Sequence, residues 1–331
     1  MSAPLATFGK RLIGLGAVAA PPHVFALDAG TLRYGRFVEA GGGWELRELR
    51  RVELPAESFQ AGVLGGPLRE PAVFGERLAQ LVGGLSAPVR EASLVLPDAW
   101  LRLTFVESGE LPRAAEARDE VVRWKVKRLL PFRVEELRLS ASEVAPLPQQ
   151  GEPKRLLIAY ALEALLAQLE EAFAKAGVWL GRITSESLAL LPAVGEALTE
   201  APLGALAVVR GGGYTLLFTR RGEPVLYRFK SRDEPASAAS APTSFPSTVE
   251  RDLRLTRAFV AEQLPDLEIS RVVVAGEAGR DETRAWQEWL AAGLGRAGEP
   301  LESLRLPLAS AERVGWMEVA PMLGAAREQV S

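Results

Sequence analysis

The residues best suited to chemistry stand where the apolar run Val24–Leu27 ends: Asp28, Gly30 and Thr31, within LDAGTLRYGRF. An aspartate at such a place can hold the water shell of a magnesium ion. A glycine lets the backbone come close to a phosphate, and the N–H groups of the turn donate to it. The same Asp-x-Gly-Thr order also closes ordinary hairpins, so taken alone it leaves both roles open. Other chemistry is poorly provided for. There is no cysteine, which excludes disulfides, thiolate catalysis and cysteine-bearing zinc sites. His23 is the single histidine, beside Pro21-Pro22 at the end of an irregular leader. A Ser-His-Asp triad would have to use it, and such a setting does not hold a base rigidly. Farther along, Arg123, Lys127 and Arg128 make a basic turn, which can meet acidic peptide groups or lipid headgroups.

These residues need elements to position them. His23 to Leu54 and Leu203 to Lys230 each read as three short strand-like stretches joined by glycine turns. The copies lie about 180 residues apart, far beyond a solenoid period, which points to duplication of a whole domain. Between them, Ser93 to Pro97 reads as a buried strand, with more strand character from Leu101 to Glu107. A helix is expected from Arg113 to Leu130, with Ala117, Val121, Val122, Trp124, Val126 and Leu129 at helical spacing. Its first half is acidic and its second basic, as the helix dipole favours, and Pro131 stops it. Periodicity leaves Trp124 equally suited to the core and to a partner groove. A hairpin over 137–144 and 154–160 follows, then a helix from Leu162 to Ala176 with Leu165, Leu166, Leu169 and Phe173 on one face. The Ala/Ser/Pro-biased stretch Ser231 to Ser247 reads as a linker. After it come a helix to Leu264, a strand and glycine turn from Arg271 to Arg280, a helix bearing Trp286, Trp289 and Leu290, and a closing helix from Val319. The expected organisation is a flexible leader (1–22), a first half (23–190) containing an inserted subdomain (101–176), and a second half (191–331) containing a flexible linker (231–247).

The chain of 331 residues is 48% hydrophobic and 24% charged, with a net charge of −3. Length and composition suit an ordinary globular protein of two domains. The charge argues against a nucleic-acid binder that relies on bulk attraction. No stretch approaches the roughly 20 apolar residues of a membrane-spanning helix.

The duplicated meander suggests two ribonuclease-H-like halves facing each other across a cleft. LDAGTLRYGRF is similar to the first phosphate loop of actin-like ATPases, with Gly35 and Arg36 where a lysine is common. ELPRAAEARDEVVRWKVKRLLPFRVEELRLS, Glu110 to Ser140, resembles the PilM-type assembly proteins of bacterial type IV pili. Arg123, Trp124, Pro131, Phe132, Glu135 and Glu136 match that pattern, while Lys125 stands where the family has glutamate. LLAQLEEAFAKAGVWLGRITSESLALL and the APMLG close at Ala320 to Gly324 extend the likeness from His23 to Gly324.

The resemblance implies an α/β protein of the actin-like ATPase fold, with the insert in its first half and a reduced second half. It implies a cytoplasmic adaptor at the inner face of the inner membrane, as in PilM and the cytoplasmic part of GspL-type secretion proteins. The partners implied are the tail of a PilN-like inner-membrane protein and other pilus or secretion platform components. Nucleic acid is not among them, and a membrane would be met only through partners. Arg123, Trp124, Lys127, Arg128 and Phe132 are the candidate partner-binding residues. Asp28, Gly30, Thr31, Gly211, Gly212 and Gly276 would form a vestigial nucleotide cleft. Its second loop, AVVRGGGYTLL, lacks the family's aspartate, and AGEAG carries Glu277 where the adenosine motif has a second glycine. Loss of the paired metal carboxylate removes the water-positioning group of ATP hydrolysis. The expectation is therefore a protein without catalytic or metal residues and with no cofactor, Mg·ATP being at most a weak ligand.

Overall fold

The computed structural model describes residues 21–327 except 42, 56, 110, 111, 113, 145, 147–153, 211, 212, 232–246, 277–279, 305–307 and 309–314. The expected leader, apart from Pro21 and Pro22, and the expected linker, apart from its two end residues, lie outside them.

β1 (His23–Leu27) is the middle strand of the first sheet. It runs antiparallel to β2 (Thr31–Ala40), with Phe25 opposite Tyr34, and parallel to β4 (Glu91–Leu96), with Phe25 beside Leu94. β3 (Gly43–Glu53) lies outside β2 and β8 (Trp179–Ser185) outside β4, giving the order β3-β2-β1-β4-β8. Burial explains the composition: β1 and β4 are covered on both faces and read as apolar runs, while the edge strand β3 alternates with charge.

The second sheet repeats this plan. β9 (Gly204–Arg210), β10 (Gly213–Arg220) and β11 (Glu223–Ser231) form an antiparallel meander, and β12 (Arg271–Gly276) and β13 (Gly298–Pro300) add in parallel, in the order β11-β10-β9-β12-β13. Its last strand has only 3 residues. A third sheet, β5-β7-β6, comes from β5 (Arg102–Ser108), β6 (Leu137–Val144) and β7 (Lys154–Leu162). The described helices are α1 (Pro71–Gly83), α2 (Ala115–Lys127), α3 (Glu163–Lys175), α4 (Glu186–Thr199), α5 (Ser247–Gln263), α6 (Arg280–Leu294) and α7 (Trp316–Arg327).

The chain forms two compact units. One takes the residues up to Val144, then Lys154–Ala193, then the stretch beyond Arg305; the other takes Val194–Arg305. In the second, Trp286 sits 5.1 Å from the rings of both Tyr214 and Trp289, in a core of buried apolar residues from β9, β10, β12, α5 and α6.

Two features of the first unit differ from the sequence expectation. α3, expected to end the inserted subdomain, packs on the main sheet, where Phe173 meets Phe25 edge-on at 5.0 Å. It also keeps to the insert, where Arg138 of β6 pairs with Glu163 and Glu170 of α3. The closing helix α7, expected in the second half, belongs to the first unit and packs with Val24, Ala26, Phe37 and Ala189. It is buried continuously from Val319 to Ala326, and a Cβ on Gly324 would lie 1.7 Å from the carbonyl oxygen of Ala189 on α4. Arg327 Nη1 donates to the Pro192 carbonyl at 2.7 Å. Hydrophobic spacing specifies which face of a helix is buried but not which sheet receives it, and both differences have that cause.

The ends of β4 and β8 are tied by a buried polar cluster. Asp98, 5% exposed, accepts from the Ser187 N–H at 3.2 Å and the Ser187 hydroxyl at 2.7 Å. The Leu188 N–H donates to Ser185 Oγ at 3.4 Å, capping the start of α4. No helix among the described residues is long and apolar enough to cross a membrane.

Candidate functional site

The turn between β1 and β2 brings Asp28, Gly30 and Thr31 together. The Asp28 N–H donates to the Thr31 carbonyl at 3.0 Å, and the Gly30 N–H donates back to Asp28 Oδ1 at 3.0 Å. Thr31 Oγ1 donates to Glu53 Oε2 at 3.3 Å. Arg33, two residues into β2, donates from Nη2 to the other Asp28 oxygen, Oδ2, and forms an ion pair with it. The guanidinium side chain is 10% exposed and the carboxylate 35%. Both oxygens of Asp28 and the hydroxyl of Thr31 are thus engaged within the hairpin. The described residues contain no group of three or more acidic or histidine side chains able to hold a metal. A hydrated magnesium ion at Asp28 would have to share this carboxylate with the Arg33 guanidinium, an unfavourable fit. Arg33 was not singled out from the sequence; what sets it apart is a charge inside the buried stretch Leu32–Gly35 of β2.

In the second half, Gly211 and Gly212 lie outside the described residues. Their neighbour Gly213 opens β10, and a Cβ there would come 2.2 Å from the Lys230 carbonyl oxygen on β11. Close approach of the third meander strand thus accounts for a glycine at that position, as a hairpin requires. Gly276 ends β12 opposite Val209 of β9, and Glu277 lies outside the described residues.

Among the described residues, the side chain hydrogen-bonded to the His23 ring is the phenol of Tyr34, its hydroxyl 2.7 Å from Nδ1. Burial, then the nearby Arg36 charge, lower the pKa of His23 from 6.5. Burial raises the Tyr34 phenol to about 12. On β3, burial works against the Glu48 carboxylate, but hydrogen bonds from Ser86 and Arg50 outweigh it and lower its pKa. This is a structural cluster.

The insert presents the other constellation. Val122 and Val126 of α2 are buried with Val106, Val134, Leu156 and Ile158. The opposite face carries Trp124, 59% exposed, with the Arg128 guanidinium 5.6 Å above its ring, and Leu129, 56% exposed, follows just beyond the helix. Trp124 is therefore a surface residue. The remaining candidates also make contacts within the chain. Arg123 Nη1 donates to the Val134 and Leu137 carbonyls at 3.1 and 3.4 Å. Lys127 pairs with Glu135 at 3.1 Å. Phe132 is half-buried, 6.4 Å from Tyr160, against Leu64, Leu137 and Tyr160. Leu64 comes from a tight glycine loop whose tip, Val63, is 67% exposed and whose Val63 carbonyl accepts from Arg102. Val63 was missed in the sequence, although the GVLGG run marks a tight loop there.

No protein-family model matches the chain, and no curated protein does. Among solved structures, one from the PilM-PilN type IV pilus biogenesis complex superposes with a TM-score of 0.70 at 20% identity, covering 95% of this chain and 99% of that one. That full-length overlap and the twin sheets of one strand order decide the architecture. The chain has the actin-like fold. More distant likenesses are a Bacteroides thetaiotaomicron protein with an actin-like ATPase fold and unknown function (TM-score 0.49, 11% identity, 89% of this chain and 93% of that), and the cytoplasmic domain of EpsL, an inner-membrane component of the Vibrio cholerae type II secretion system (0.46, 11%, 92% and 93%). Within the actin-like fold, the Asp28 turn occupies the first-sheet hairpin, and the insert carrying Trp124 follows β4.

Proposed function

We propose that this protein is a non-catalytic cytoplasmic adaptor of a type IV pilus or related secretion platform, holding the cytoplasmic tail of a PilN-like inner-membrane protein. The observation that carries this reading is the likeness, over nearly the whole of both chains and including the insert, to a structure from a PilM-PilN complex. The exposed face around Trp124, Arg128 and Leu129, with Val63 and Phe132, is the proposed contact: aromatic and aliphatic anchors beside cations suit a short amphipathic tail. The engaged state of Asp28 favours a scaffold over a hydrolase.

The test is fluorescence anisotropy with a labelled peptide from the cytoplasmic tail of a PilN-like inner-membrane protein. Micromolar binding, weakened about tenfold or 1.4 kcal/mol by Trp124→Ala, is expected. That variant should melt as the wild type does, because an exposed substitution costs within about 0.5 kcal/mol. No binding by well-folded protein would refute the adaptor reading.

The alternative is a nucleotide-gated switch or ATPase of the same fold, favoured by the placement of Asp28, Gly30 and Thr31 in one strand-ending turn. Calorimetry against Mg·ATP separates the two: a Kd below about 100 μM, roughly 5.5 kcal/mol, would make gating the leading idea.

A further inference from the structure

We propose that Arg33 is the resident cation of the first hairpin turn, holding the Asp28 carboxylate permanently and excluding a divalent metal from it. The inference deepens, and rests on, the non-catalytic part of the reading above; it does not draw on the partner tail.

Three observations carry it. The first is contact: Asp28 Oδ1 takes the Gly30 N–H at 3.0 Å and Oδ2 takes Arg33 Nη2, so a divalent cation at this carboxylate would stand against a positive charge already in place. The second is burial. Arg33 is 9% exposed, Asp28 is its only ion-pair partner among the described residues, and its Nε is buried without a hydrogen bond. A metal that took Asp28 would leave a guanidinium out of water with no counter-charge, which is far costlier than losing an exposed pair. The third is the ladder. Arg33 lies directly opposite Arg51 on β3, and Arg51 reaches to Glu318 at 3.5 Å. Side chains directly opposite on neighbouring strands are close neighbours. A divalent ion at Asp28 would therefore add two charges beside the Arg33 guanidinium, at a sheet position whose cross-strand neighbour is also an arginine. Glu53, which ends β3 opposite Thr31, accepts from the Thr31 hydroxyl.

The hairpin consequently keeps the outline of a phosphate-binding turn while its charge is satisfied internally. An arginine is suited to the task because its guanidinium stays protonated at every physiological pH.

Manganese(II) titration of the full-length protein, following the free-ion EPR signal, tests this. Arg33→Gln should gain one site at least tenfold tighter than any in the wild type, and the added substitution Asp28→Asn should abolish it. Arg33→Lys, which keeps the charge, should behave as the wild type. A wild-type site that Asp28→Asn removes would overturn the proposal, as would an Arg33→Gln protein that gains nothing. Should Arg33→Gln fail to fold, the wild type and Asp28→Asn decide by themselves: equal manganese binding supports the resident cation, and an Asp28-dependent site refutes it. Tail binding by the wild type is read separately, so failure of the adaptor reading and failure of this inference give different results.

Discussion

Replacing Gly324 by alanine should destabilise the first unit, although helix propensity alone predicts the opposite. Alanine is favoured over glycine in a helix interior by about 1 kcal/mol. At position 324, however, the new Cβ would lie 1.7 Å from the Ala189 carbonyl oxygen, 2.9 Å from its carbon and 3.3 Å from the Ala193 nitrogen. All three are backbone atoms of α4, which cannot swing aside as a side chain can. An ordinary carbon–oxygen contact is about 3.3 Å, so α7 would have to retreat by roughly 1.5 Å along this seam. A gap of even 0.5–1 Å forfeits about a quarter to a half of the dispersion attraction across it, and α7 is buried continuously from Val319 to Ala326. The cost belongs at the upper end of overpacking, about 3 kcal/mol. Set against the propensity gain, the net loss is about 2 kcal/mol, or about 4–8 °C in melting temperature for a unit of this size. Gly75, inside α1, is the control, because a Cβ added there would meet nothing within 4 Å. Gly75→Ala should be neutral or stabilising by up to about 1 kcal/mol. Calorimetric melting of both variants is the assay. A Gly324→Ala protein as stable as the wild type would refute the argument that α7 and α4 touch backbone to backbone.

Two further predictions concern buried polar groups. Asp98→Ala strips the Ser187 N–H and hydroxyl of a buried acceptor and should cost about 2 kcal/mol; Asp98→Asn keeps an acceptor and should cost less. A denaturant midpoint for Asp98→Ala equal to wild type would show that the cluster does not hold β4 to α4. For the His23 cluster, both shifts make acid destabilising: the folded-state pKa of His23 lies below 6.5, so stability present above 6.5 is lost as pH falls below it. Glu48, lowered from 4.5, adds a second loss as pH falls through its folded pKa. Melting temperature followed from pH 7.5 downward should decline in two stages, and His23→Gln should remove the first; a profile unchanged by that variant would exclude His23 as its source.

What the sequence by itself determined was local and periodic. The two glycine-punctuated meanders were legible because strands joined by short turns pair with their neighbours in the chain, and both copies form sheets of one order. The helix carrying Arg123 and Trp124 was legible from its spacing, as was the turn that gathers Asp28, Gly30 and Thr31. Only the tertiary structure decided what those elements meet. It turned Trp124 outward, because Val122 and Val126 take the helix face that meets the insert's core and Trp124 lies on the opposite face. It assigned α3 and α7 to the first sheet, which requires knowing that Phe25 and Ala189 stand opposite them. It also set Arg33 against Asp28. An arginine in an apolar strand is visible in any sequence, but whether it faces solvent, a phosphate or its own turn depends on register and burial. Those are properties of the assembled sheet, since the free energy of burying a charge depends on everything that removes water from around it.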